Sequence, residues 1–301
     1  MSRKLISFDW AMKKLLRSKA NFEILEGFLS ELLKETIQIL EVLESESNKQ
    51  NDDDKFNRVD LKVKNQQGEI IIIEVQYERE FDYLQRILFA TSKAITEHLN
   101  ESEPYAEVVK VISVNILYFD LGQGKDYVYH GSTSFKGLHV QDTLQLSEDQ
   151  QEMYKKSQVC ELFLEYYLIK VNNFDDVAKD TLDEWIYFLK NEEIKDDFQA
   201  KGIRKAKQEL NILKLPEQDR VAYEKYLDNL HYQASLFESS YVTGMKKGEK
   251  RGGQRRSIEI AKKLIASGVM DISMIAEMTE LTVGEVEQLS RQQPVGQAYV
   301  V

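Results

Sequence analysis

Between Asp9 and about Leu43 apolar residues recur at three- and four-residue intervals: Trp10, Leu15, Leu16, Phe22, Leu25, Phe28, Leu29, Leu32 and Leu33. That period puts them on one side of a helix, and a polar break at Ser18–Asn21 divides the stretch into two helices. The pattern then changes. After an acidic, polar loop at 45–55, FNRVDLKVKN alternates, QQG turns, and EIIIIEVQY continues as a second strand, which predicts a β-hairpin. A long amphipathic helix is expected over 78–99 and an interior strand over 108–120. Weaker alternation marks 126–135, and aromatic-rich VCELFLEYYLIKV (159–171) is a further strand. Beyond about 175 the period is helical throughout. The order predicts an α/β core over 1–190, a helical extension over 191–243, and a tail over 244–301 with a basic linker and a small helical unit.

Composition narrows the function classes. Hydrophobic residues make up 42% of the 301, enough for a packed core, and 30% charged residues with three prolines favour long helices. The single cysteine, Cys160, excludes a disulfide framework, and His98, His130, His139 and His231 lack metal-ligand spacing. The N-terminal MSRKLISFDWAMKKLL has charges throughout, unlike a signal peptide, and no apolar run is long enough to cross a membrane. A cytoplasmic protein is expected. A net charge of −11 argues against indiscriminate nucleic-acid binding but leaves room for a local basic patch.

The hairpin poses the chemical question. Ile70–Ile73 read as a buried strand, yet the run ends in Glu74-Val75-Gln76. Side chains two apart on a strand share a face, so Glu74 and Gln76 stand side by side. A buried carboxylate is costly unless something pairs with it or binds to it. Asp60, on the preceding strand, lies opposite Glu74 if the hairpin loop is odd in length or bulged. A plain two-residue Gln66-Gln67 loop puts them on opposite faces. Convergence would supply two hard oxygen ligands, with the Val75 carbonyl between Glu74 and Gln76 as a third. Mg²⁺ suits such a place, and there it can activate a water and stabilise charge on a phosphodiester.

An aspartate followed by Glu-Val-Gln on a hairpin flanked by helices resembles the PD-(D/E)XK nuclease core, in which Asp, Asp/Glu and Lys line a metal site. More narrowly, SFDWAMKKLL, RVDLKV, IIIIEVQ, RILFATSKAI and YVYHGSTSFKG occur in an order similar to the recombination-promoting nuclease and transposase family, over roughly residues 5 to 190. The resemblance implies a restriction-endonuclease-like core, a central mixed sheet flanked by helices. It also implies a metal-dependent DNA endonuclease with Mg²⁺ or Mn²⁺ as cofactor, DNA as partner, and a place in recombination, mobile elements or defence. Carried over by residue, Asp60 and Glu74 are the metal-binding catalytic carboxylates and Gln76 stands in the lysine's place. Asp9 matches the aspartate opening the first helix, Lys13 follows one turn later, and Arg86 matches a basic position that holds a phosphate. Glutamine orients a water or phosphate but supplies no positive charge.

Plainer readings stand beside these. Asp60, Glu74 and Gln76 could form a solvated strand end, Asp9 and Lys13 a surface i,i+4 pair, and Arg86 a pair with Asp82. The alternative to an enzyme is a nuclease-fold protein that binds nucleic acid, or forms a homo-oligomer through its C-terminal helices, without cutting. Residues 271–278 and 282–290 have helix-turn-helix form with Thr282 as an N-cap. Glu285 and Glu287 on the second helix repel phosphate, which favours packing or oligomerisation over base reading. GMKKGEKRGGQRR (244–256) holds six basic residues against one acidic, with Gly244, Gly248 and Gly252 four apart. It is either a flexible linker or a helix with its glycines on one face, and its cations could track a phosphate backbone in both cases.

Overall fold

A computed structural model describes residues 5–43, 60–99 and 104–292. Helix α1 (Phe8–Lys14) is followed by a 3-10 turn at Lys19–Asn21 and by α2 (Phe22–Leu33). Helix α2 ends at Lys34, whose φ of 57° is left-handed, and the chain enters strand β1 (Ile39–Leu43). The expected helix up to Leu43 is therefore corrected. Past the left-handed residue, Ile39 and Val42 pair with the next strand, a setting that suits β-branched side chains. The acidic loop expected at 45–55 lies outside the described residues.

The order continues with β2 (Leu61–Asn65), β3 (Ile70–Gln76), α3 (Tyr83–Glu97), β4 (Val111–Leu117), β5 (Val128–Gly131), α4 (Glu148–Tyr154), β6 (Glu165–Lys170), α5 (Thr181–Asn191) and α6 (Ile203–Glu209). The strands form one mixed sheet in the order β1-β2-β3-β4-β6-β5. The three central strands β3, β4 and β6 run parallel, and the outer pairs are antiparallel. Within 159–171 the strand begins only at Glu165, after a 3-10 turn at Val159–Leu162.

Both faces of β3 are buried, as its unbroken isoleucine run requires. Ile71, Ile73 and Val75 face the main core, where Phe8 and Phe28 meet Trp185 and Phe188 edge to face. Ile70 and Ile72 face the other way and meet Ala94 and Ile95, near the C-terminal end of α3. Tyr83, in the first turn of α3, packs with Leu117 at the far end of β4. Helix α3 thus brings its N-terminal turn to the carboxyl ends of the parallel strands.

The chain divides into two compact units, one running to Leu227 and one beginning at Asp228. A long helix, α7 (Glu217–Ser267), spans that division, and α8 (Ile272–Thr279) and α9 (Val283–Gln292) follow. Tyr223, early in α7, is buried in the sheet-bearing unit. In the second unit Ala261, Ile275, Ala276 and Val286 form a small core. Asp271 and Thr282 cap α8 and α9 through Met274 N and Glu285 N. The basic stretch at 244–256 takes the helical alternative, inside α7. No described helix is long and apolar enough to cross a membrane.

Candidate active site

The hairpin loop decides where the carboxylates meet. Asn65 N donates to Glu69 O at 3.0 Å, so Gln66, Gln67 and Gly68 form an odd, three-residue loop. Asn65 Oδ1 accepts from Gln67 N and Glu69 N and braces the turn. Gly68 sits at φ +80°, left-handed backbone that a Cβ disfavours. The register pairs Leu61 with Ile73, which places Asp60 opposite Glu74.

Asp60 stands just outside β2, and its carboxylate continues the ladder in place of backbone. Val75 N donates to Asp60 Oδ2 at 2.7 Å. On the other side Lys13 Nζ lies 3.3 Å from Asp60 Oδ1 and 2.7 Å from Asp9 Oδ1. The Tyr226 hydroxyl, from α7, donates to Asp9 Oδ2. The i,i+4 pair is buried at its carboxylate, Asp9 being only 2% exposed, while Lys13 is exposed. Burial opposes the charge on Lys13, but Asp9 and Asp60 outweigh it and hold its pKa above that of ordinary lysine. Burial raises the pKa of Asp60 from its ordinary value, while Lys13 and the Val75 N–H pull the other way.

Glu74 is 3% exposed and poorly satisfied. Its Oε1 is buried with no hydrogen-bond partner. Its Oε2 has distant neighbours, the Tyr83 hydroxyl at 3.4 Å and Arg86 Nη2 at 3.8 Å. The Tyr83 hydroxyl is closer to Asn115 Oδ1, at 3.0 Å, and carries a single hydrogen to give. Burial therefore pushes the Glu74 carboxyl up to about 7, with Arg86 opposing and Asp60 adding to the rise. Burial and the charge of Glu74 both raise the pKa of Tyr83, which stays a phenol.

Gln76 is turned by its loop. Its Nε2 donates to Glu80 Oε1 at 2.9 Å and to Glu78 O at 3.2 Å. Arg86 Nη1 donates to the same Glu80 oxygen at 2.7 Å. The ion pairs of Arg86 are thus with Glu80 and Glu74 rather than with Asp82. The structure brings Asp9, Lys13, Asp60, Glu74, Val75, Gln76 and Arg86 to one end of the sheet. They lie at the carboxyl ends of the parallel strands, where open α/β sheets place their ligands.

A family model described as PD-(D/E)XK nuclease family transposase matches residues 6–240. The chain belongs to this family. No curated protein and no solved structure matches it. The six-stranded mixed sheet, its flanking helices and the helical C-terminal region are those of a restriction-endonuclease-like PD-(D/E)XK protein.

In this member of the PD-(D/E)XK family, Glu80, Tyr83, Asn115 and Tyr226 also surround the candidate site, and sequence patterning did not single them out. Asn115 had a usable signal, an amide inside the otherwise apolar end of VISVNIL, and the parallel register sets it beside Glu74. Its Nδ2 donates to Ser113 Oγ and Tyr167 O, which leaves Oδ1 for Tyr83. Glu80 and Tyr226 had none, since a loop and a distant helix bring them in.

Proposed function

We propose that this chain is a metal-dependent DNA endonuclease that hydrolyses phosphodiester bonds at the end of β3. The observation that carries the reading is Glu74 Oε1, a buried carboxylate oxygen without a partner, held opposite a second carboxylate. Such an atom is costly unless something binds to it. Asp60, Glu74 and the Val75 carbonyl would hold Mg²⁺ or Mn²⁺. Val75 gives its N–H to Asp60, and one strand residue aims its N–H and C=O to the same side, so the carbonyl faces that side too. Among the described residues no three of His, Cys, Asp and Glu gather around a cation position. Two carboxylates with backbone oxygen and water are a set that Mg²⁺ accepts. When bound, the cation lowers the pKa of a water and stabilises charge on the scissile phosphate.

The chain's own groups divide the remaining work. Both hydrogens of Gln76 Nε2 are spent on Glu78 and Glu80, so its carbonyl oxygen is left to accept from a water and orient it. Gln76 cannot supply the positive charge of the lysine named in the family pattern, and Lys13 supplies it from α1, beside Asp60. Arg86 is committed to Glu80 and Glu74, so it steadies these carboxylates rather than holding a phosphate.

Plasmid nicking in Mg²⁺ or Mn²⁺ tests the reading. Wild-type protein should nick, and Asp60→Asn, Glu74→Gln and Lys13→Met should each lose most of that activity. Undiminished nicking by the combined Asp60→Asn, Glu74→Gln protein would sink the catalytic assignment. A wild type that binds DNA without cutting it would make the chain a binding protein of nuclease fold.

A further inference from the structure

Lys246, Lys247, Lys250, Arg251, Arg255 and Arg256 lie within a stretch of α7 that holds a single acid, Glu249. All six are exposed, and among the described residues none of them forms an ion pair. At about 100° and 1.5 Å per helical residue, Lys246, Lys247, Lys250, Arg251 and Arg255 share one half of the circumference over about 14 Å. Glu249 and Arg256 fall on the other half. From Asp228 onward basic and acidic residues balance at nine each, so the charge is segregated rather than in excess. Acids such as Glu277, Glu280, Glu285 and Glu287 sit on or beside α8 and α9.

This arrangement disfavours the isolated helix. Lys246/Lys250, Lys247/Arg251 and Arg251/Arg255 are like charges four apart, which repel along a helix face. Gly248, Gly252 and Gly253 weaken it further, and a Cβ at any of them would meet nothing within 4 Å, so no packing demands glycine there. A polyanion laid along the basic face relieves the repulsion.

We propose that this face of α7 docks the phosphate backbone of duplex DNA. A duplex carries one charge per about 1.7 Å of axis, so about 14 Å presents about eight phosphates to five long, flexible cations. The stretch from 244 to 256 has no aromatic residue on which unpaired bases could stack, which favours a duplex over a single strand. Gln254 is its one amide, so contacts to phosphate dominate and binding is independent of sequence. The proposal rests on DNA as the substrate of the candidate active site, and gives that substrate a second point of attachment.

Full-length Glu74→Gln protein, kept in chelator so that a divalent cation is absent, is titrated with a fluorescein-labelled duplex by anisotropy over a range of salt. The same protein with Lys246, Lys247, Lys250, Arg251 and Arg255 all changed to Gln is compared. Five lost phosphate contacts at about 0.9 each should flatten the slope of log affinity against log salt by about 4.5. Affinity at the lowest salt should fall at least about tenfold, as counterion release predicts. An unchanged slope and affinity overturns the proposal. So does loss of binding to phosphatidylserine vesicles with the duplex slope intact, which assigns the face to a membrane. Should the Gln protein lose helicity, exchanging Lys and Arg at the five positions preserves charge and must preserve the slope; a flattened slope there also overturns it. Nicking by wild type is scored separately, so a failed catalytic reading and a failed docking reading give different results.

Discussion

Glu74 binds its proton tightly because its surroundings do little for its charge. Its pKa, ordinarily 4.5, stands at about 7 in the folded chain, chiefly through burial. Between those values the folded state binds more protons than the unfolded state, so stability falls as pH rises through that window and levels off above about 7. The difference corresponds to about 3 kcal/mol. Urea denaturation in chelator should show wild type losing about that much between pH 5 and pH 8 relative to Glu74→Gln. Parallel pH curves for the two proteins would contradict it. Added Mn²⁺ should restore the loss in wild type and leave the variant unchanged. Tyr226 acts one step further out, through Asp9 on Lys13. Tyr226→Phe should slow nicking about tenfold, the size of a lost hydrogen bond to a charged group. The same change should cost little once Lys13 is Met, since residues in one network do not add. Equal losses in both backgrounds would show that Tyr226 serves packing alone. That Glu74 and Gln76 share one face of a strand end was legible in the sequence, because strand periodicity fixes neighbours over a few residues. Tyr226 was not, because it meets Asp9 across 217 residues of chain.

The hairpin is the element that turns local sequence into a site. Whether Asp60 meets Glu74 depended on one loop residue, and the sequence left both registers open. Gly68 settles it, since the three-residue loop needs its left-handed φ of +80°. A Cβ there meets nothing within 4 Å, so substitution probes backbone conformation rather than space. Gly68→Val should lose about 1–2 kcal/mol in urea denaturation, and Gly68→Asn less than half of that, since Asn tolerates this region. Equal losses would put the cost elsewhere. Two boundaries escaped sequence reading for physical reasons. Ile39–Leu43 is too short to separate strand from helix by periodicity, and only pairing with β2 decides it. Helix α3 begins at Tyr83 rather than near 78, and the loop released by that late start carries Glu80 to Gln76 and Arg86.

For the whole molecule, the order of strands and helices was enough to anticipate a central sheet with a helical C-terminal region. Strand order within the sheet was not legible, because β4 enters between β3 and β6 through contacts distant in sequence. The tail was legible as helical units, while the basic stretch read equally well as linker or helix. On the proposed function, β2 and β3 hold Asp60 and Glu74 in place for a cation. A crystal grown with Mn²⁺ tests it most directly through anomalous scattering at the manganese edge. A peak is expected within coordination distance of Glu74 Oε1 and an Asp60 carboxylate oxygen, absent from Glu74→Gln crystals. Ordered Mn²⁺ elsewhere, or none at this place in a protein that still nicks DNA, would contradict it.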